Sequence, residues 1–110
     1  MVLTYKNNKL RKLCEDSQSN KELIKKYGSD VAIKLPKRIV QLKSFACLAD
    51  VPVVPPFRRH KLSGNLKNLY AININDQYRL IFRQVENNII VESLKDIKEI
   101  EIMEVSKHYE

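Results

Sequence analysis

The sequence has no run of about 18 apolar residues, so no segment is long enough to cross a bilayer as a helix. Its first residues, Met-Val-Leu-Thr-Tyr-Lys, lack the apolar core of a secretory leader, and a cytoplasmic protein without membrane contact is expected. Cysteine and histidine are scarce, with two of each: Cys14, Cys47, His60 and His108. Without a secretion signal, the two thiols are expected to stay reduced and pack as small hydrophobes. Two lone cysteines and two distant histidines make no metal-ligand spacing, so neither a structural zinc nor any other cofactor is expected. Internal repeats and low-complexity segments are absent as well.

Acid is scarce in one part of the chain. Residues 1–68 hold 15 Lys/Arg against 5 Asp/Glu, whereas residues 69–110 hold 5 against 8, and the whole carries +7. A basic surface of this kind favours a polyanion such as nucleic acid, and would equally suit an acidic protein partner. The 110 residues, 44% hydrophobic, fit one domain spanning 1–110 with one core.

Val2 to Tyr5 reads as a short strand, and Asn8 to Cys14 as a short helix with Leu10 and Leu13 on one side. Asp16 to Asn20 breaks it. Ser19 with Glu22 three residues on fits a capping box for a second helix to about Tyr27, stopped by Gly28. A longer helix starts at Ser29-Asp30. Val31, Leu35, Ile39, Leu42, Ala46 and Ala49 follow a three-four spacing and are expected to face the core. Lys34, Lys37, Arg38 and Lys43 fall largely on a solvated face. Pro36 lies inside this pattern, and a kink or a restart is expected there. Three prolines between Asp50 and Pro56 exclude a helix and a central strand, leaving a linker within the domain.

The stretch Arg58 to Arg83 carries the most information. A basic cluster, Arg58-Arg59-His60-Lys61, leads through Ser63-Gly64-Asn65 into two alternating segments, Tyr70–Ile74 and Tyr78–Arg83, around Asn75-Asp76-Gln77. This is a β-hairpin pattern. A three-residue loop pairs Ile74 with Tyr78, Ile72 with Leu80 and Tyr70 with Phe82. A loop shorter by one would set Ile72 against Arg79, so hydrophobic matching selects three. One face is then core, including Tyr70 and Tyr78, and the other carries Ala71, Asn73, Arg79, Ile81 and Arg83. A further strand, Ile89–Leu94, is expected to return on the hairpin through Asn87-Asn88, setting Val85 against Ile90, Arg83 against Glu92 as an ion pair, and Ile81 against Leu94. A last strand covers Ile100–Val105. Helices followed by consecutive strands give an α+β domain, with N-terminal helices packed on one face of a small antiparallel sheet.

The run Arg58-Arg59-His60-Lys61-Leu62-Ser63-Gly64-Asn65-Leu66, then Tyr70, then Gln77-Tyr78-Arg79-Leu80-Ile81-Phe82, resembles the HigB branch of the RelE/ParE toxin superfamily, the plasmid-maintenance killer proteins. The close match covers about a quarter of the chain, and the order of elements agrees over nearly all of it. The resemblance implies a RelE-like fold and a toxin that cuts mRNA in the ribosomal A site. It also implies a helix-turn-helix antitoxin, with operator DNA contacted only through that antitoxin. It assigns catalytic roles to His60 and Arg79. In the tail, where the family carries an Asp-x-His-like motif, this chain has Glu104-Val105-Ser106-Lys107-His108-Tyr109, which makes His108 the candidate tail histidine and Tyr109 a candidate acid or stacking residue. Ser63 stands where the family often has lysine.

The residue types suit metal-independent RNA cleavage. That reaction needs a base for the ribose 2′-OH, a cation for the charge developing on phosphorus, and an acid for the leaving 5′ oxygen. Histidine moves protons near neutrality, and an arginine fork fits phosphate oxygens. If the basic loop folds over the polar face of the hairpin, His60, Lys61 and Arg79 converge on one phosphate. Lys61 and Lys67 are candidate phosphate contacts, and Arg58 and Arg59 add general attraction for RNA. Two other functions fit the same scaffold: a non-nucleolytic, ParE-like gyrase poison, which has no use for the loop histidine, and a degenerate basic module that only pairs with its antitoxin, which the altered tail would suit.

Overall fold

The computed structural model describes residues 1–63, 68–85 and 93–107. After strand β1 (Val2–Tyr5), helix α1 (Asn8–Glu15) starts at Asn7, whose side chain accepts the Leu10 N–H at 2.9 Å. Asp16 caps a short 3₁₀ turn, Ser17–Ser19, by accepting the Gln18 N–H. Helix α2 (Asn20–Tyr27) follows. The capping box expected at Ser19 and Glu22 does not form. Ser19 is held in the turn at φ −82°, ψ 1°, not in the extended conformation that lets a capping hydroxyl reach back to the helix. Gly28, at φ 94°, takes the left-handed conformation that ends α2 and opens helix α3 (Ser29–Ser44).

Helix α3 differs from its sequence pattern in three ways. It runs unbroken through Pro36, and no restart occurs. The lost donor is outweighed by a buried stripe of Val31, Leu35, Ile39 and Leu42 that holds the helix on the sheet. It stops at Ser44 instead of continuing through Ala46 and Ala49. Phe45 turns extended and Leu48, fully buried, fills the core position with its N–H on the Ile97 carbonyl. A leucine there removes more apolar surface from water than an alanine would. The third difference is Arg38, which is 8% exposed and turned inward, not solvated.

The sheet has five strands in the order β1-β5-β4-β3-β2, where β2 is His60–Lys61, β3 Leu69–Asn73, β4 Tyr78–Gln84 and β5 Glu99–Lys107. All neighbouring pairs are antiparallel except β1 with β5, which is parallel. The hairpin has the register that hydrophobic matching selects. Tyr70 faces Phe82, Ile72 faces Leu80, and the Ile74 N–H donates to the Tyr78 carbonyl across a three-residue loop.

The expected Ile89–Leu94 strand needs correction. Its residues 89–92 lie outside the described residues, and Leu94 sits in a 3₁₀ turn, Leu94–Asp96. Ile81 is flanked by Ala71 on one side and Glu104 on the other, so β4 has no free edge for Leu94. Arg83 is paired with Glu101, at 2.7 Å, and its expected partner Glu92 lies outside the described residues.

Helices α1, α2 and α3 cover one face of this sheet. Leu13, Leu23, Leu35, Ile39 and Leu42 meet Ile72, Leu80, Phe82, Ile100 and Ile102 in one buried cluster. Tyr70 stacks on Phe82 at 6.0 Å, and Tyr78 packs edge-on against Tyr27 at 5.3 Å, so both hairpin tyrosines serve the core. Cys14 is buried there and Cys47 half-buried, both as free thiols. Among the described residues no helix is long and apolar enough to cross a membrane.

Candidate active site

Strand alternation sends every second residue of the hairpin to the face the helices leave open. The register then arranges that face in rows. His60 on β2, Ala71 on β3, Ile81 on β4 and Glu104 on β5 share one row. Asn73, Arg79 and Ser106 form the next. Ala71 and Ile81 of the first row join Leu62 in a small apolar floor, with Leu69 and Met103 packed against it.

His60 and Lys61, read from sequence as part of a loop, are the edge strand itself. Leu62 explains this. It is buried in the floor and its N–H donates to the Leu69 carbonyl at 2.9 Å, which holds the preceding two residues in register. His60 is two strands and about two residues away from Arg79. Strand spacings of about 4.8 Å and a rise of about 3.3 Å per residue put their Cα atoms roughly 12 Å apart.

The His60 ring is oriented by its own backbone. Nδ1 lies 2.9 Å from the Arg58 carbonyl oxygen. A carbonyl only accepts, so the neutral ring carries its proton on Nδ1 and presents an unprotonated Nε2. Arg58 adopts φ 49°, the left-handed region rarely used by side-chain-bearing residues. Arg79 is half-buried, and its Nε is buried with no hydrogen-bond partner among the described residues. Buried polar groups nearly always have a partner, so this Nε is an exception among the described side chains.

A β-bulge completes the face. Ile81 pairs with Glu104 but Phe82 pairs with Ile102, leaving Met103 as the extra residue of β5. Strict alternation would have sent Glu104 and Ser106 toward the helices. The bulge restores Val105 to the core side and turns Glu104 and Ser106 onto the open face. Sequence alternation alone therefore missed Glu104 and Ser106. The signal was Val105, an apolar residue out of phase with Ile100 and Ile102.

The other expected site residues spread out. Lys61 pairs with Tyr70 and so leaves the sheet on the side opposite to His60, exposed at the edge. It does not converge with His60 and Arg79, because adjacent strand residues point apart. Arg59 Nε donates to the Val51 carbonyl at 2.9 Å, which makes it a brace for the linker. The Arg58 side chain lines a cavity at the hairpin tip. Lys67, His108 and Tyr109 lie outside the described residues. Among the described residues no cluster of three or more His, Cys, Asp or Glu could hold a metal.

This arrangement has known counterparts. Residues 3–98 match the family of HigB-like toxins, described as the RelE-like toxin of type II toxin-antitoxin system HigB. Toxin HigB-1 of Vibrio cholerae is 30% identical over 86 residues, spanning 78% of this chain and 86% of that protein. Among solved structures, the YoeB/ParE toxin from Agrobacterium tumefaciens superposes over 99% of this chain and 100% of its own at a TM-score of 0.54 and 15% identity. The YoeB dimer from Staphylococcus aureus covers 99% and 98% at a TM-score of 0.53 and 16% identity. At these identities the structural likeness speaks for the fold alone.

Proposed function

The chain belongs to the HigB-like, RelE-related toxins of type II toxin–antitoxin systems, and from that premise and the open face of its sheet we propose that it is a metal-independent endoribonuclease cutting mRNA in the ribosomal A site. Membership in such a system implies an antitoxin partner. We take that partner to be a helix-turn-helix protein through which the complex reaches operator DNA, and the site of action to be the cytoplasm.

One observation carries the reading: β2 and β4 present His60 and Arg79 on one face, across an apolar floor of Ala71 and Ile81. Arg79 would hold the scissile phosphate and stabilise the charge that develops as the 2′ oxygen attacks phosphorus. His60 Nε2, the free nitrogen of the neutral tautomer that the Arg58 carbonyl selects, would take or return a proton. Ser106 and Glu104 stand close enough in register to orient the ribose. His108 and Tyr109 remain candidates for the second proton-transfer group.

Primer extension on translated mRNA after induction tests this. Wild-type protein is expected to give codon-phased cuts that vanish in Arg79→Ala and His60→Ala. Cuts that persist in Arg79→Ala would refute the assignment. A DNA-damage response without cuts would point to a gyrase poison, and normal growth with antitoxin binding retained would point to a degenerate module.

A further inference from the structure

At the tip of the hairpin, beside the face just described, lies a cavity of about 520 Å³ between α3, the proline linker and the β3–β4 loop. Arg38, Arg58, Lys34 and Asn73 line it, with Asp30 and Asp76 on its wall. Its cations are not all neutralised. Asp30 is occupied by Lys34 at 3.3 Å and by the Asn75 amide at 2.9 Å. Arg38, 8% exposed, has no carboxylate within salt-bridge reach among the described residues. Its partners are neutral: the Asn73 carbonyl at 3.1 Å, Gln41 Oε1 at 3.1 Å, the Ile74 carbonyl at 3.4 Å, and the Phe57 ring beneath it at 5.3 Å.

A desolvated guanidinium without a counter-charge is costly unless an anion completes it. Those three bonds use three of its five N–H groups. Two N–H groups are left over, and Arg38 lines the cavity. Arg58 faces the same space, while its carbonyl fixes His60. Asn73 joins the two places as well, since it lines the cavity and pairs with Arg79 in the sheet.

We propose that this cavity is an RNA phosphate subsite, in which Arg38 and Arg58 hold the phosphate of a nucleotide next to the one cleaved. Arg38 is the fixed half, clamped by the carbonyls of the hairpin tip. Arg58 is the exposed half, and its backbone couples filling of the subsite to the position of the His60 ring. This rests on the reading of the open face as an RNA-cleaving centre. RNA is favoured over an acidic peptide because the cavity shares Asn73 and Arg58 with that face, so a strand lying across Arg79 reaches it without leaving the surface. The two wall carboxylates would repel a multiply acidic segment more than one phosphate.

The test uses binding, so that it stands apart from cleavage. Inorganic phosphate and a 2′-O-methyl hexanucleotide, which cannot be cut, are titrated into the full-length protein and followed by NMR at the Arg38 Nε–H and the Ile74 and Asn75 amides. Both ligands are expected to shift these signals, in Arg79→Ala as in wild type. Arg58→Ala is expected to weaken hexanucleotide binding about tenfold and to lower the slope of log K against log salt by about 0.7, one phosphate contact on a single strand. Arg38→Lys, which keeps the charge but loses the fork, is expected to fall between. Unchanged affinity and salt slope in Arg58→Ala would overturn the subsite, as would an acidic peptide that shifts these signals when RNA does not. Loss of toxicity in Arg79→Ala judges the cleaving centre alone, so the two proposals fail separately.

Discussion

The two faces of the β3–β4 hairpin are made by the same two strands and follow opposite rules. Toward the helices stand Ile72, Leu80 and Phe82, each fully buried, with Tyr70 at 8% exposure. Away from them stand Asn73, Arg79 and Arg83, with the small apolar floor of Leu69, Ala71 and Ile81 among them. Side-chain period two lets one stretch of sequence hold the fold with its even positions and carry chemistry with its odd ones. The rigidity of the first set positions the second, which is why polar groups on strands make a better-fixed site than the same groups on a loop.

The largest expected effect lies on the helix face. Phe82→Ala should cost about 3–5 kcal/mol of stability, enough to threaten folding, measured by urea denaturation. Arg79→Ala is expected to do the reverse. Thermal melting should be nearly unchanged, or slightly improved by removing the unpartnered Nε, while cleavage falls about 100- to 1,000-fold, as for loss of one charge-stabilising donor. If Arg79→Ala unfolds the protein, the division between the faces is wrong.

A thiol-reactivity experiment sharpens the comparison next. Cys14 lies in the helix-side core at 2% exposure, and burial, helped by the neighbouring Glu15 carboxylate, pushes its thiol up to about 12. It should resist alkylation at pH 8 until the protein opens, whereas the half-buried Cys47 reacts first, as read by mass spectrometry.

The smallest effect concerns the periphery of the core. The Lys43 ammonium bonded to Glu15 holds the Glu15 carboxyl below its ordinary range. A depressed carboxylate contributes stability that is present above the unfolded value, about pH 4.3, and is lost as pH falls through the folded one. Glu15→Gln should therefore cost about 0.5 kcal/mol at pH 7 and nothing at pH 2, as for other exposed pairs.

How much of this was legible in the sequence differed between the two faces. The hairpin register was readable because three hydrophobic pairs agree on one loop length, and with it came the sidedness of Arg79. The sequence also reads β1, α1, α2 and the last strand within a few residues. What it could not reveal were contacts between distant segments. Arg38 occupies a polar position in the helical repeat of α3, yet it is drawn inward by the carbonyls of Asn73 and Ile74, 35 and 36 residues on. The partner of β4 was sought in the next segment along, Ile89–Leu94. The sheet instead takes β5, and thereby gains the parallel edge with β1. Edge-strand formation at His60–Lys61 was hidden because two residues show no periodicity. The β5 bulge, which places Glu104 and Ser106, left only Val105 as a trace.

The central claim is that His60 and Arg79 act on one phosphate across the open face. A double-mutant cycle measures it most directly, with single-turnover cleavage rates on programmed ribosomes for wild type, His60→Ala, Arg79→Ala and the double variant. Groups that work as a unit lose little more together than the worse of them loses alone. The double variant is therefore expected to cut about as slowly as the slower single variant. Losses that multiply, as for two independent sites, would contradict the shared centre.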